Sequence, residues 1–174
     1  KDKRIKTPHG NSTIWRYMAL DKFIDMVLSE SIYFTNAAKM TDKYEGAIPR
    51  KTLKSKRSRL LKKGQDPSDV DIDVAYYEYS FNSLKDLTLI NCWSIRPVES
   101  YALWKIYLSG AKSGVAIKTN VSTLKRAIKF GKDEYDEDIF MGEVSYKDYI
   151  DDSSLTRFDL ITTKNMFYEF EKEL

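Results

Sequence analysis

The sequence predicts an α+β domain: a small mixed or antiparallel sheet of about five or more short strands, interspersed helices and an inserted basic helical hairpin. Three observations predict it. Short β-branched and aromatic runs alternate with stretches of helical periodicity. No internal repeat or low-complexity segment interrupts that alternation. The 174 residues, 42% hydrophobic and 32% charged, suffice for one core that buries roughly two-thirds of the surface of its unfolded chain. Residues 1–174 therefore read as a single domain with a helical insertion at about 50–87.

Ile14-Trp15-Arg16-Tyr17-Met18 is the first predicted strand, because β-branched and aromatic side chains fit a pleated, half-buried surface. Asp21 is a candidate N-cap for a helix carrying Leu20, Phe23, Ile24, Val27 and Leu28 at helical spacing, and Ile32-Tyr33-Phe34-Thr35 forms the second strand. Asn36, Asp42, Gly46 and Pro49 mark a loop. The stretch from Arg50 to Lys63 is rich in Lys and Arg, with Leu53, Leu60 and Leu61 as a thin apolar stripe, and reads as a basic helix ending near Gly64. Asp66-Pro67-Ser68-Asp69 opens a second helix with Val70, Val74, Tyr77 and Phe81 on one face and acids in the first turn, where the helix dipole favours them.

Thr88 to Ser94 resembles a buried strand. Ser100 to Ser109 is a helix placing Tyr101, Trp104 and Leu108 together and closed by Gly110. Val115 to Thr119 is a strand, Ser122 caps a short helix with Leu124, Ala127 and Ile128, and Lys132 to Asp138 is a charged turn. A further strand lies within Phe140 to Tyr149. The last segment, from about Thr163 to Leu174, carries Met166, Phe167, Phe170 and Leu174 at helical spacing. The sequence does not start with Met, and Leu174 falls inside that segment without a Gly or Asn cap, so the natural chain is expected to continue past it.

Composition excludes several chemistries. A formal charge of +3 is too small to single out nucleic acid or an anionic membrane as partner, so any basic patch is local. No apolar run has the length of a signal peptide or a membrane span, which predicts a cytoplasmic protein with no membrane partner. A single cysteine, Cys92, excludes an intrachain disulfide and a cysteine-built zinc site, and a lone His9 leaves nothing for a histidine triad; no metal site is expected. Cys92 precedes Trp93 with no neighbouring Lys or His, as an inert core thiol would.

The candidate functional residues each carry two readings. Arg16, inside an aromatic strand, could fork onto a phosphate or carboxylate, or pair with a surface acid. Asp42 and Glu45, three apart in a loop, could face a ligand, hold a divalent cation or cap a turn. Glu171 and Glu173 diverge on a helix but share a face at a strand end, while Lys164 could join Glu171 in a surface ion-pair network. Trp93, Tyr101, Trp104 and Tyr107 read as core, since a base-stacking platform would need exposure. Lys56, Arg57, Lys62 and Lys63 stand for the basic helix, which could neutralise nucleic-acid phosphates or pair with the acidic helix after it.

In chain order, Ile14-Trp15-Arg16-Tyr17, Ile32-Tyr33-Phe34-Thr35 and Met40-Thr41-Asp42-Lys43-Tyr44-Glu45-Gly46 resemble the opening of the bacterial family called domain of unknown function 2971. Cys92-Trp93-Ser94, Leu103-Trp104-Lys105-Ile106-Tyr107, Gly114-Val115-Ala116-Ile117 and Val144-Ser145-Tyr146 follow in that family's order, and Lys164 with Tyr168 to Glu173 resembles its closing motif. The resemblance spans roughly residues 14–174. It departs in the loop, usually Phe-Asn-Asp-Pro-Phe-Glu, where Asp42 and Glu45 match and Tyr44 replaces Phe, and in the closing motif, which normally continues into an Arg. The basic hairpin falls where such families vary in length.

The order of a strand with Arg, a helix, an aromatic strand and a late Glu also resembles, at the level of fold, ADP-ribosyltransferase-like proteins, which include bacterial toxin and phage-defence enzymes. That resemblance implies NAD or another nucleotide as substrate. Arg16 would hold it, Tyr33 or Tyr44 would stack on nicotinamide, and Glu171, with Glu173 as the other choice, would serve as the catalytic acid. The competing expectation is a non-enzymatic nucleic-acid-binding or protein-interaction module built on the basic helix at 50–63. A regulatory subunit dependent on a partner is a third.

Overall fold

The structure, a computed structural model, describes residues 5–40, 48–108, 110–128, 139–147, 159 and 162–174. The chain groups into two compact units, each drawn from several stretches: residues 1–33, 92–144 and 170–174 make the first, and 34–91 with 145–169 the second. The α+β class is borne out. The described strands, however, divide among three small sheets instead of one.

In the first unit β1 (Thr13–Ala19) is the central strand, and β5 (Gly114–Asn120) runs antiparallel beside its whole length, from Thr13 opposite Asn120 to Ala19 opposite Gly114. On its other edge lies β4 (Ser94–Ile95), which reaches only Ile14 and Trp15. Alternation then assigns faces: Ile14, Arg16 and Met18 to one side, Trp15 and Tyr17 to the other. Ile14 is fully buried in a cluster with Trp93, Val121 and Leu124, against which Ile32, Ile95, Ile117 and Leu174 pack. Helix α5 (Val121–Ala127) supplies two of these core residues. Its cap is Asn120, whose side chain accepts from the Thr123 N–H at 2.8 Å, in place of the expected Ser122. Asn120 ends β5 in extended backbone, which is what an N-cap requires.

Helix α1 (Leu20–Leu28) begins directly after β1, with Ala19 in the cap position and Asp21 in the first turn instead of at the cap. Its apolar stripe is largely exposed: Leu20, Ile24, Val27 and Leu28 all face solvent. Helix α4 (Tyr101–Tyr107) is capped by Ser100 and followed by Gly110 at φ +83°, a left-handed value that suits Gly. It turns Leu103 inward, whereas Tyr101, expected in the core, is exposed beneath Lys105.

The second unit contains the hairpin. Helix α2 (Arg50–Lys62) ends at Gly64, φ +79°, and α3 (Pro67–Leu87) starts from Asp66, whose carboxylate accepts from the Ser68 N–H at 2.9 Å. That bond and the Ser68 hydroxyl hold the Asp66 carboxyl below the usual range. Val70 and Phe81 are buried, and Phe81 packs with Tyr77 and Ile48, so the predicted stripe of α3 is its inner face. The strands expected at 32–35 and 88–94 shrink to β2 (Thr35–Asn36) paired with β3 (Leu89–Ile90), because Cys92 to Ser94 belong to the other unit. A parallel pair, β6 (Ser145–Lys147) with β7 (Thr163–Asn165), completes the unit's sheets.

The C-terminal helix expected from Thr163 is corrected. After β7 the chain makes a 3-10 helix, Met166–Glu171, and then an extended tail. Helical spacing misled because Met166, Phe167 and Phe170 are exposed, so their period marks no buried face, and the tail's backbone is claimed by β4. The expected turn at 132–138 and residues 148–149 lie outside the described residues, as do Tyr44, Asp42 and Glu45.

Ile14→Ala should lower unfolding stability by about 2–5 kcal/mol through the cavity it leaves at a fully buried site, and Asn120→Ala by about 1 kcal/mol through the lost cap. Urea unfolding followed by circular dichroism measures both. Equal, small losses would mean that Ile14 is not the centre of the first unit's core.

Candidate functional site

The extended tail forms a fourth row on the sheet of the first unit. Trp93 and Leu174 exchange backbone hydrogen bonds at 3.1 and 2.7 Å, the Ile95 N–H donates to the Lys172 carbonyl at 2.7 Å, and Ser94 bridges Glu173. The Ser94 hydroxyl donates to the Glu171 carbonyl and accepts from Arg96 Nε, and the Val144 N–H holds the Glu173 carbonyl at 3.0 Å. Glu173 is thereby fixed two strands from Trp15, on the Trp15 and Tyr17 side of the sheet, since directly paired residues share a face.

On that side the aromatic side chains are ordered by their polar ends. The Tyr17 ring meets Trp104 edge-on at 5.2 Å and stacks on Tyr107 at 6.4 Å, and its hydroxyl accepts from the Ser100 N–H at 2.7 Å. Trp15 Nε1 donates to the Arg96 carbonyl at 3.1 Å. The Tyr107 hydroxyl donates to Glu173 Oε1 at 3.3 Å. Both late glutamates are buried, at 7% and 4% exposure. They do not form the strand-end pair the spacing allows: Glu171 ends the 3-10 helix, and Lys172 at φ +46° breaks the alternation before Glu173.

Arg16 starts from the opposite face of β1. Past Trp15, β4 no longer covers this edge, and the Arg16 guanidinium lies 5.8 Å from the Trp93 ring centroid, with Nη2 donating to the Tyr33 carbonyl at 3.4 Å. Nη1 is shielded from solvent and makes no hydrogen bond to protein among the described residues. Burial pulls the proton affinity of Arg16 down, while nearby Cys92 and Tyr107 pull it back up. A guanidinium stays ionised in a protein, so the result is a cation held at a desolvation cost with donor capacity to spare.

In the first unit Arg16 meets the Tyr33 carbonyl on one side of β1, Glu173 meets the Tyr107 hydroxyl on the other, and Tyr107 also raises the proton affinity of Arg16. Tyr33 contributes its carbonyl, its ring being mostly exposed, and Tyr44 lies outside the described residues. Trp93 is core, as the sequence reading has it, and also lies against Arg16, whereas Tyr107, likewise read as core, is exposed because its hydroxyl reaches out to Glu173; neither was on the candidate list. The signal was present in register alone: Trp93 sits where β4 leaves β1, and Tyr107 stands three residues after Trp104 on α4. Among the described residues no group of His, Cys, Asp or Glu could hold a metal ion. No described helix is long and apolar enough to cross a membrane.

The basic candidates lie in the second unit and separate into two kinds. Lys56 sits 4.1 Å from the Tyr77 ring centroid, and Arg57 grips Asp71 with Nε to Oδ1 at 2.7 Å and Nη2 to Oδ2 at 3.3 Å, which raises the proton affinity of Arg57 and lowers that of Asp71. Lys62 and Lys63 are exposed at the helix end. Compared with known proteins, the chain matches no family model, no curated protein and no solved structure.

The Arg16 guanidinium is held at a desolvation cost that its contacts with Trp93 and the Tyr33 carbonyl offset only in part. Arg16→Met should therefore leave the thermal midpoint unchanged or raise it by a few degrees in differential scanning calorimetry. A fall of more than about 8 °C, corresponding to ~2 kcal/mol or more, would make Arg16 a structural residue.

Proposed function

We propose that the protein is an ADP-ribosyltransferase-like enzyme of the family called domain of unknown function 2971, acting on the glycosidic bond of NAD or a related nucleotide. The observation that carries this reading is the half-buried Arg16 with its Nη1 shielded and unengaged, in the same unit as a buried carboxylate that accepts from a tyrosine hydroxyl. Planar guanidinium donors suit the oxygens of a pyrophosphate, and the Trp93 ring beside them offers an apolar wall. Desolvation of a cation beside an aromatic ring supports a functional role for Arg16.

In the proposed reaction the bond from ribose C1′ to the nicotinamide nitrogen breaks, and its electron pair neutralises the pyridinium as nicotinamide leaves. Positive charge develops on C1′ and the ring oxygen. Glu173, with Tyr107 fixing one of its oxygens, faces that charge, and an acceptor oxygen then bonds to C1′ and gives up its proton. With water as acceptor the products are ADP-ribose, nicotinamide and a proton. Glu173 replaces Glu171 as first choice for the acid because the Tyr107 hydroxyl donates to its carboxylate and its buried position is fixed by the backbone pairing of the tail with β4. A defence or toxin setting in bacteria is part of the same reading.

Incubation with NAD, with and without nucleic acid, and chromatography of the products tests it. Nicotinamide should be released, with Glu173→Gln and Arg16→Met each slowing release by about 10²–10³-fold and Glu171→Gln slowing it less. Absence of release under every condition, or equal rates in all variants, contradicts the reading.

A further inference from the structure

Helix α2 raises a question that the proposed reaction does not answer: what its cations are for. From Arg50 to Lys63 there is no acidic residue, and the acidic helix α3 that packs on α2 neutralises little of it. Arg57 pairs with Asp71, and Lys56 rests on Tyr77. Asp69, Asp73 and Glu78 of α3 make no ion pair to α2 among the described residues, and neither do Lys54, Arg59, Lys62 and Lys63, all exposed. At about 100° per residue Arg50, Lys54, Lys62 and Arg59 fall within one half of the helix surface, away from Lys56, Leu53 and Leu60, so cations line about 18 Å of its outward side.

The geometry points to this face of α2 as a docking surface for the phosphate backbone of double-stranded nucleic acid, independent of base sequence. Charge complementarity commits the surface to a polyanion. Its composition narrows the choice: α2 has no aromatic side chain, and the exposed Tyr76 and Tyr79 of α3 project away from the Val70 and Phe81 side that is buried. A surface for single strands needs rings on which bases stack, whereas a duplex backbone needs only cations at helical spacing. Amphipathic burial into a lipid surface needs an apolar face, which the outward side of α2 lacks.

The test is fluorescence anisotropy of the full chain with a labelled 20-base-pair duplex, a single strand of the same length and vesicles of phosphatidylserine and phosphatidylcholine, from 50 to 200 mM salt. Wild type should bind the duplex and lose about 10²-fold in affinity across that range, the response of roughly four phosphate contacts. Arg50→Glu/Lys54→Glu/Arg59→Glu/Lys62→Glu should abolish binding with an unchanged circular dichroism spectrum, and the matching Gln variant should flatten the salt slope, while Lys54→Arg/Lys62→Arg retains binding. Stronger binding to the single strand, binding to vesicles but not duplex, or duplex affinity unaltered in the Glu and Gln variants would overturn the inference. None of these readouts uses NAD, so failure here leaves the glycosidic chemistry standing, and the reverse holds.

Discussion

The ladder between β1 and β5 is the constraint on which the first unit depends. Seven consecutive antiparallel pairs fix β1 along its whole length, and a one-residue slip would exchange its two faces, taking Ile14 out of the core and Tyr17 out of its aromatic stack. Because burial on both faces penalises such a slip, the register is strongly specified. The same ladder decides where Arg16 stands, next to core residues on a face where a charge is out of place. It also decides where β4 can attach, and through β4 where Glu173 comes to rest.

Capture of the tail by β4 is the second step of the same construction. Two residues of β4 are too few to make an independent strand, yet they are flanked on one side by β1 and on the other by residues 172–174, which satisfy their remaining backbone groups. The left-handed turn at Lys172 is tolerated because these bonds over-determine it. What results is two charged groups that a stability argument alone would remove: a guanidinium with an unused donor beside the core residue Trp93, and a buried glutamate that accepts from a phenol. Folding tolerates such groups most readily where binding a ligand offsets the desolvation.

The parts legible in the sequence were those whose signal is local. Ile14 to Met18 is a strand because its β-branched and aromatic side chains favour one, and α3 is a helix because Val70, Tyr77 and Phe81 recur on a face that packs inward. Gly64 and Asp66 marked the hairpin turn through their own backbone and capping chemistry. What escaped was non-local. The tail resembles a helix by spacing, but its hydrogen bonds go to residues almost 80 positions earlier. Tyr33 meets Arg16 through its carbonyl, which no side-chain reasoning can find, and Tyr107 gains its carboxylate partner only when the tail brings Glu173 to it. Arg16 was legible as unusual, and its unengaged nitrogen was not.

The central claim is that Arg16 is held ready for an anion of a nucleotide. Calorimetric titration of ADP-ribose into the wild type and Arg16→Met tests it most directly, because it asks about binding without requiring an acceptor or a chemical step. The account predicts binding to the wild type and at least a tenfold loss of affinity in a variant that remains folded. Equal affinity in both proteins, or no binding to the wild type, would contradict it.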